Sequence, residues 1–237
     1  METYEIKGLF SDIVKIYHYP SIRSSNNIIL VLKGIYSEHV PREEVLNFSW
    51  DHELVKLMRD NYHLIFVRTS RLKDRNERDA FVGKTFKQEC VEIENAFEYC
   101  NKNIFSQDYR WGCVSMSFGG TTLLGIPEVL SEMQVVIMAG SGCGKSPTTI
   151  KPLLSSLPHT EQLLHSLDNY RGVFIFLHGV NDTVVPKKSQ QLIYERAVSA
   201  AKRKWVELQN LDHTLRDMYT GKSSAANIMS QYIRKIF

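Results

Sequence analysis

The sequence has no long apolar run. Its longest, such as Ile28 to Leu32 and Val173 to Leu177, are about five residues, against the roughly 20 that a helix needs to cross a bilayer. No membrane span is therefore expected. Charge of one sign is not in excess either: 29 Lys and Arg against 26 Asp and Glu give a formal net charge of +3. No stretch gathers the bases into one run, so neither nucleic acid nor an anionic membrane surface is an expected partner. The four cysteines (Cys90, Cys100, Cys113 and Cys143) contain no C-x-x-C pair. That spacing speaks against a structural zinc site and leaves buried free thiols in a reducing compartment. The opening METYEIKGLFSDIVK mixes acids and bases where a signal peptide would have a basic start and an unbroken apolar stretch, and a cytoplasmic location is the expectation.

The composition that remains is that of an ordinary globular protein, with 43% hydrophobic and 23% charged residues, which excludes disordered, collagen-like and coiled-coil chains. A length of 237 residues suits one sizeable domain, 1–237, around one core. Short apolar runs alternate with segments of helical period, the pattern of a mainly parallel sheet with helices on both faces. Strands are predicted at 13–17, 28–32, 64–67, 113–116, 135–138, 173–177 and 205–208. The clearest helical stripe is Phe86, Cys90, Ile93, Phe97, Cys100 and Ile104, apolar at every third or fourth position. Further helices are predicted over 43–58, 187–203 and 223–236. Residues 143–172 break the rhythm, with Pro147, Pro152 and Pro158 and little helical period. A lid or cap over 143–171 is the expected reading of so long a connection.

Three loops at predicted strand ends carry chemistry. In Gly112-Cys113-Val114-Ser115-Met116-Ser117-Phe118-Gly119-Gly120 a strand ends, a serine follows with small residues two positions away on either side (Ser115 and Gly119), and a helix begins. A turn that sharp exposes the serine hydroxyl at the top of the sheet. A serine hydroxyl needs a histidine to take its proton and a carboxylate to hold that histidine in the right tautomer. Both arrive in order after later strands: Asp182 in His178-Gly179-Val180-Asn181-Asp182-Thr183-Val184-Val185-Pro186, and His213 in Leu211-Asp212-His213-Thr214-Leu215.

Together these segments resemble the α/β-hydrolase family. The string HGVNDTVVP is similar to the H-G-x-x-D-x-x-V-P segment that carries the acid in many members, and LDHTL is similar to their histidine loop; the likeness runs from about Ile28 to the C-terminus. It implies an α/β-hydrolase fold and a serine hydrolase acting on a small-molecule acyl or ester substrate through an acyl-enzyme. Ser117 would be the nucleophile, Asp182 the acid, and His213 the base. The backbone N–H groups of Phe118 and Ile35 (less favourably Tyr36) would bind the oxyanion, and no cofactor is implied. Where many relatives have His-Gly before that second donor, this chain has Lys33-Gly34. Asp212, beside His213 in sequence, reads as a turn residue and His178 as structural.

Two other readings compete. Ala139-Gly140-Ser141-Gly142-Cys143-Gly144-Lys145-Ser146 fits a relaxed phosphate loop, in which the lysine reaches terminal phosphates and the serine binds magnesium. Pro152 would break the second turn of the helix that loop requires. A hydrolase fold serving only as a binding module is the other alternative. Lys145, Lys151 and Lys187 read as solvated bases more than as a recognition site for an acidic group.

Overall fold

A computed structural model describes residues 1–9, 13–35, 50–70, 84–105, 108–144 and 152–237. Eight strands form one sheet: β1 (Glu2–Lys7), β2 (Ile13–Tyr19), β3 (Asn27–Leu32), β4 (His63–Arg68), β5 (Arg110–Met116), β6 (Met133–Ala139), β7 (Val173–Gly179) and β8 (Lys202–Leu208). They lie in the order β1-β2-β4-β3-β5-β6-β7-β8. β2 is antiparallel to both β1 and β4, and every pairing from β4 to β8 is parallel.

The unbroken apolar runs become strands because the sheet is covered on both sides, and a strand buried on both faces needs no polar alternate positions. Along β3, Ile28, Leu30 and Leu32 belong to one core cluster, and Ile29 and Val31 to the other. β7 repeats this, with Phe174 and Phe176 on one face and Ile175 and Leu177 on the opposite one. The first cluster packs beneath α2 (Phe86–Asn103), α3 (Phe118–Leu124) and α4 (Pro127–Glu132); the second packs beneath α1 (Trp50–Met58) and α8 (Ala225–Arg234). α2 starts at a full capping box, in which Thr85 accepts from the Gln88 N–H and the Gln88 side chain accepts from the Thr85 N–H. Each such cap satisfies backbone donors that the helix leaves open.

The structure departs from the sequence reading at several places. β1 has no apolar run: ETYEIK is an edge strand with its two glutamates and its lysine in solvent, formed through its register with β2 from Glu2↔His18 to Lys7↔Ile13. β8 begins at Lys202, three residues before its apolar part, because Lys202, Arg203 and Lys204 are exposed on the opposite edge. α7 (Lys187–Arg196) accordingly ends sooner than predicted. Of the expected helix over 43–58, residues 43–49 lie outside the described residues.

Within 152–171 are two short helices, α5 (Pro152–Ser155) and α6 (Thr160–Leu164), and a 3-10 turn at His165–Leu167. Elements of four or five residues show no period, which is why the sequence reads as irregular. Leu153, Leu157, Leu163, Leu164, Leu167 and Tyr170 are buried in the same cluster as α2, so this part of the stretch is a packed layer. Tyr36, Lys145, Ser146, Pro147 and Lys151 lie outside the described residues. The four cysteines are free and buried.

Candidate active site

Ser117 sits between β5 and α3 with φ 54° and ψ −124°, a left-handed conformation that a residue with a side chain adopts only under constraint. Its N–H donates to the Ala139 carbonyl at the end of β6, 2.8 Å away. The small neighbours have a visible cause. A Cβ on Gly119 would lie 2.4 Å from the Leu32 carbonyl oxygen and 2.8 Å from that of Lys33, so α3 starts against the loop that follows β3. Ser115 is fully buried in β5. Phe118 thus opens α3 beside the loop carrying Lys33, Gly34 and Ile35, which places both expected oxyanion donors on segments in contact.

The loops after β7 and β8 bring two further groups to this point. His213 Nε2 is 2.8 Å from Ser117 Oγ, and His213 Nδ1 is 2.9 Å from Asp182 Oδ2. Asp182 is buried, which by itself raises a carboxyl pKa. Its bonds to His213 and to the Val185 and Val184 N–H groups outweigh that burial and hold it below the ordinary carboxylate value. An ionised carboxylate only accepts, so His213 donates from Nδ1–H, and in the neutral imidazole Nε2 then accepts a hydrogen bond from the Ser117 hydroxyl. Asp182 Oδ1 accepts from the N–H groups of Val184 (2.8 Å) and Val185 (3.0 Å).

Asp212 is occupied elsewhere. Its Oδ1 accepts from the Thr214 N–H, the Thr214 hydroxyl and the Arg216 N–H, which builds the turn that presents His213. Gly140 has φ +57°, and a Cβ there would come within 2.8 Å of the His213 carbonyl oxygen and 3.1 Å of its Nδ1. A Cβ on Gly142 would meet the Val185 side chain at 3.0 Å. The first two glycines of the phosphate-loop string thus give room to the His213 and Asp182 loops.

No family model matches the chain, and no curated protein matches its sequence. Solved structures do match. The Est1E protein of Butyrivibrio proteoclasticus superposes with a TM-score of 0.66 at 10% identity, covering 98% of this chain and 96% of that one. A monoacylglycerol lipase of Paleococcus ferrophilus gives 0.68 at 12% identity and covers both chains in full. An acylaminoacyl peptidase of Pyrococcus horikoshii gives 0.73 at 12% identity over all of this chain and 41% of its own. The chain has the α/β-hydrolase fold.

In this α/β-hydrolase fold the site has one polar neighbour that the sequence reading did not single out. Gln190, fully buried in the first turns of α7, donates from Nε2 to Asp182 Oδ2 at 2.9 Å. The usable signal was its place eight residues after Asp182 and four after Pro186, where α7 turns back toward the acid loop. His178 is buried and paired with Gln190, as a structural residue would be. A cleft of about 680 Å³ opens between α2, α4 and α6, lined by Cys90, Glu94, Leu124, Gln162 and Leu163 among others. None of Ser117, Asp182 and His213 lines it; Phe86, on its wall, meets Phe118 edge-on at 6.0 Å. Among the described residues no cluster of three or more His, Cys, Asp or Glu is placed to hold a metal ion, and no helix is long and apolar enough to cross a membrane.

Proposed function

We propose that this protein is a serine hydrolase that cleaves an ester or related acyl bond of a small molecule, with Ser117, His213 and Asp182 as its catalytic residues. The observation that carries the reading is the unbroken chain Ser117 Oγ, His213 Nε2, His213 Nδ1, Asp182 Oδ2, with bonds of 2.8 and 2.9 Å, beginning at a serine held in left-handed backbone. Esterases and lipases among the structural neighbours support the same class of reaction.

In this reading Ser117 Oγ attacks the acyl carbon while His213 Nε2 takes its proton. The oxygen of the tetrahedral intermediate receives the backbone N–H groups of Phe118, at the start of α3, and Ile35. Collapse expels the leaving group with the proton from His213 and leaves an acyl group on Ser117. Water then repeats the cycle in reverse, with His213 as its base. Asp182 stays ionised throughout and keeps His213 in the Nδ1–H tautomer. We read residues 1–237 as one domain, with 143–171 as a lid or cap insertion within it. The four free buried thiols support a reducing compartment such as the cytoplasm.

Labelling with a fluorophosphonate probe tests the assignment. The wild-type protein and Ser115→Ala are expected to label, and Ser117→Ala is not. Labelling that survives the loss of Ser117 refutes the nucleophile, and a wild-type protein that does not label refutes the hydrolase reading.

A further inference from the structure

Asp182 Oδ2 is approached by two donors, and only one of them is His213. The other is the Gln190 amide, whose Nε2 also donates to the Val185 carbonyl at 2.8 Å. Neither that carbonyl nor an ionised carboxylate has a proton to give, so the amide nitrogen must face them and Oε1 must face the opposite way. There it lies 3.1 Å from His178 Nδ1. An amide oxygen only accepts, which makes His178 the donor from Nδ1–H. The His178 ring is in turn stacked on Trp205, with centroids 5.3 Å apart and planes at 28°, and Trp205 is stacked on Phe176 of β7 at 5.2 Å. Each polar group in the series has one possible role, and each ring is clamped.

A buried glutamine between α7 and β7 is costly unless its amide is bonded, and an apolar residue would fill the same space without that demand. Gln190 is fully buried with both amide atoms engaged, and two of its three bonds run toward the acid loop.

We propose that Gln190, held by His178, is the positioning residue that fixes the Asp182 carboxylate for His213, an inference that rests on the hydrolase reading of the site. Four donors then surround the carboxylate: two backbone N–H groups on Oδ1, and the His213 and Gln190 groups on Oδ2. The carboxylate cannot rotate, so the imidazole ring it holds keeps its aim on Ser117. The Gln190 bond also draws charge from the oxygen that faces His213, which moderates how strongly a positive imidazole is favoured. Other charged groups nearby are Asp212, whose Oδ1 is held in the turn that presents His213, and Glu207 on β8 and Lys187 on α7, which pair with each other at 2.5 Å.

Three variants test this. Gln190→Met keeps the length and removes the donor, Gln190→Glu keeps the shape and adds a charge, and His178→Phe keeps a ring on Trp205 without its N–H. Hydrolysis of p-nitrophenyl acetate is followed across pH, and the low-field proton resonance of the His213–Asp182 hydrogen bond is recorded by NMR. Gln190→Met is expected to lower kcat by about ten- to a hundredfold, the worth of a hydrogen bond to a charged group expressed as a rate, with KM little changed. The acid limb of kcat/KM moves to higher pH, further in Gln190→Glu, and the resonance shifts in all three variants. Should Gln190→Met not fold, His178→Phe gives the smaller form of the same displacement. An acid limb and a resonance that stay in place in every folded variant, whatever the loss of stability, overturn the proposal. If the wild-type protein is as inert to the ester as Ser117→Ala, the hydrolase reading fails, and the resonance alone decides: a shift upholds Gln190 as the residue that positions Asp182 and His213, and no shift refutes it.

Discussion

Replacing Asp182 by Asn changes one atom and disturbs four hydrogen bonds. Oδ1 of Asp182 accepts from the Val184 and Val185 N–H groups, and Oδ2 accepts from His213 and Gln190. An asparagine has a single oxygen to offer. With that oxygen on the Val184 and Val185 side, its NH2 points at two donors, and His213 relieves the conflict by moving its proton to Nε2. The ring then has no lone pair toward Ser117. With the oxygen on the His213 side, the NH2 faces two backbone N–H groups that are left unpaired, at about 1–3 kcal/mol. The first arrangement sacrifices the base and the second sacrifices stability. The expected result is a kcat lower by about 10⁴-fold, the scale of losing the correct tautomer in a serine triad, equivalent to about 5 kcal/mol in the barrier. Hydrolysis of p-nitrophenyl acetate and the rate of fluorophosphonate labelling both report it, and a urea unfolding curve separates it from loss of fold. An Asp182→Asn protein that keeps its fold and its kcat within a factor of ten would refute the role of Asp182.

Three further predictions concern other parts of the fold. Gly140→Ala puts a Cβ 2.8 Å from the His213 carbonyl oxygen at a φ of +57°; a loss of about 1 kcal/mol or more in stability is expected from the backbone conformation alone, together with a fall in kcat of at least about tenfold from displacing His213. A full-rate Gly140→Ala enzyme would contradict the contact. Lys84 is fully buried between Glu89 (2.9 Å) and Glu92 (2.6 Å), and Lys84→Met removes the ammonium that both buried carboxylates share. A loss of about 3–5 kcal/mol is expected in urea unfolding, and an unchanged midpoint would refute it. Burial raises the Glu92 carboxyl, but Lys84 and Ser70 outweigh it and hold it below its ordinary 4.5. A carboxyl lowered in the folded state contributes stability that is present above that value and lost as pH falls through the folded one. Glu92→Gln should therefore flatten the acid side of the stability profile below about pH 4.5.

Residues whose chemistry is local were legible in the sequence. Ser117 shows itself through the small residues its turn demands, and Asp182 and His213 through their order after successive apolar runs. The strands buried on both faces were legible for the same reason. Features that depend on a distant partner were not. Gln190 is one polar residue on a helix with Lys187, Lys188 and Gln191 beside it, and nothing in that string says that it alone is buried. Gly140 reads equally well as a phosphate cradle, and only the approach of His213 from far along the chain gives it another reason. β1 is a strand because β2 supplies its partner, and the helices at 152–164 are little more than one turn each, too short for a helical pattern to repeat.

The buried group around Lys84 has a consequence for how this scaffold can vary. Ser70 and Lys84 flank residues 71–83, and both are tied to Glu92: Ser70 through its N–H and hydroxyl, Lys84 through its ammonium. The end of β4 and the start of α2 are therefore tied to one carboxylate. β4 lies parallel to β3 and β5 and ends on the rim of the sheet that also carries Ser117. A change at Glu92 is thus felt by two segments at once, so this scaffold varies least where a single buried carboxylate holds both.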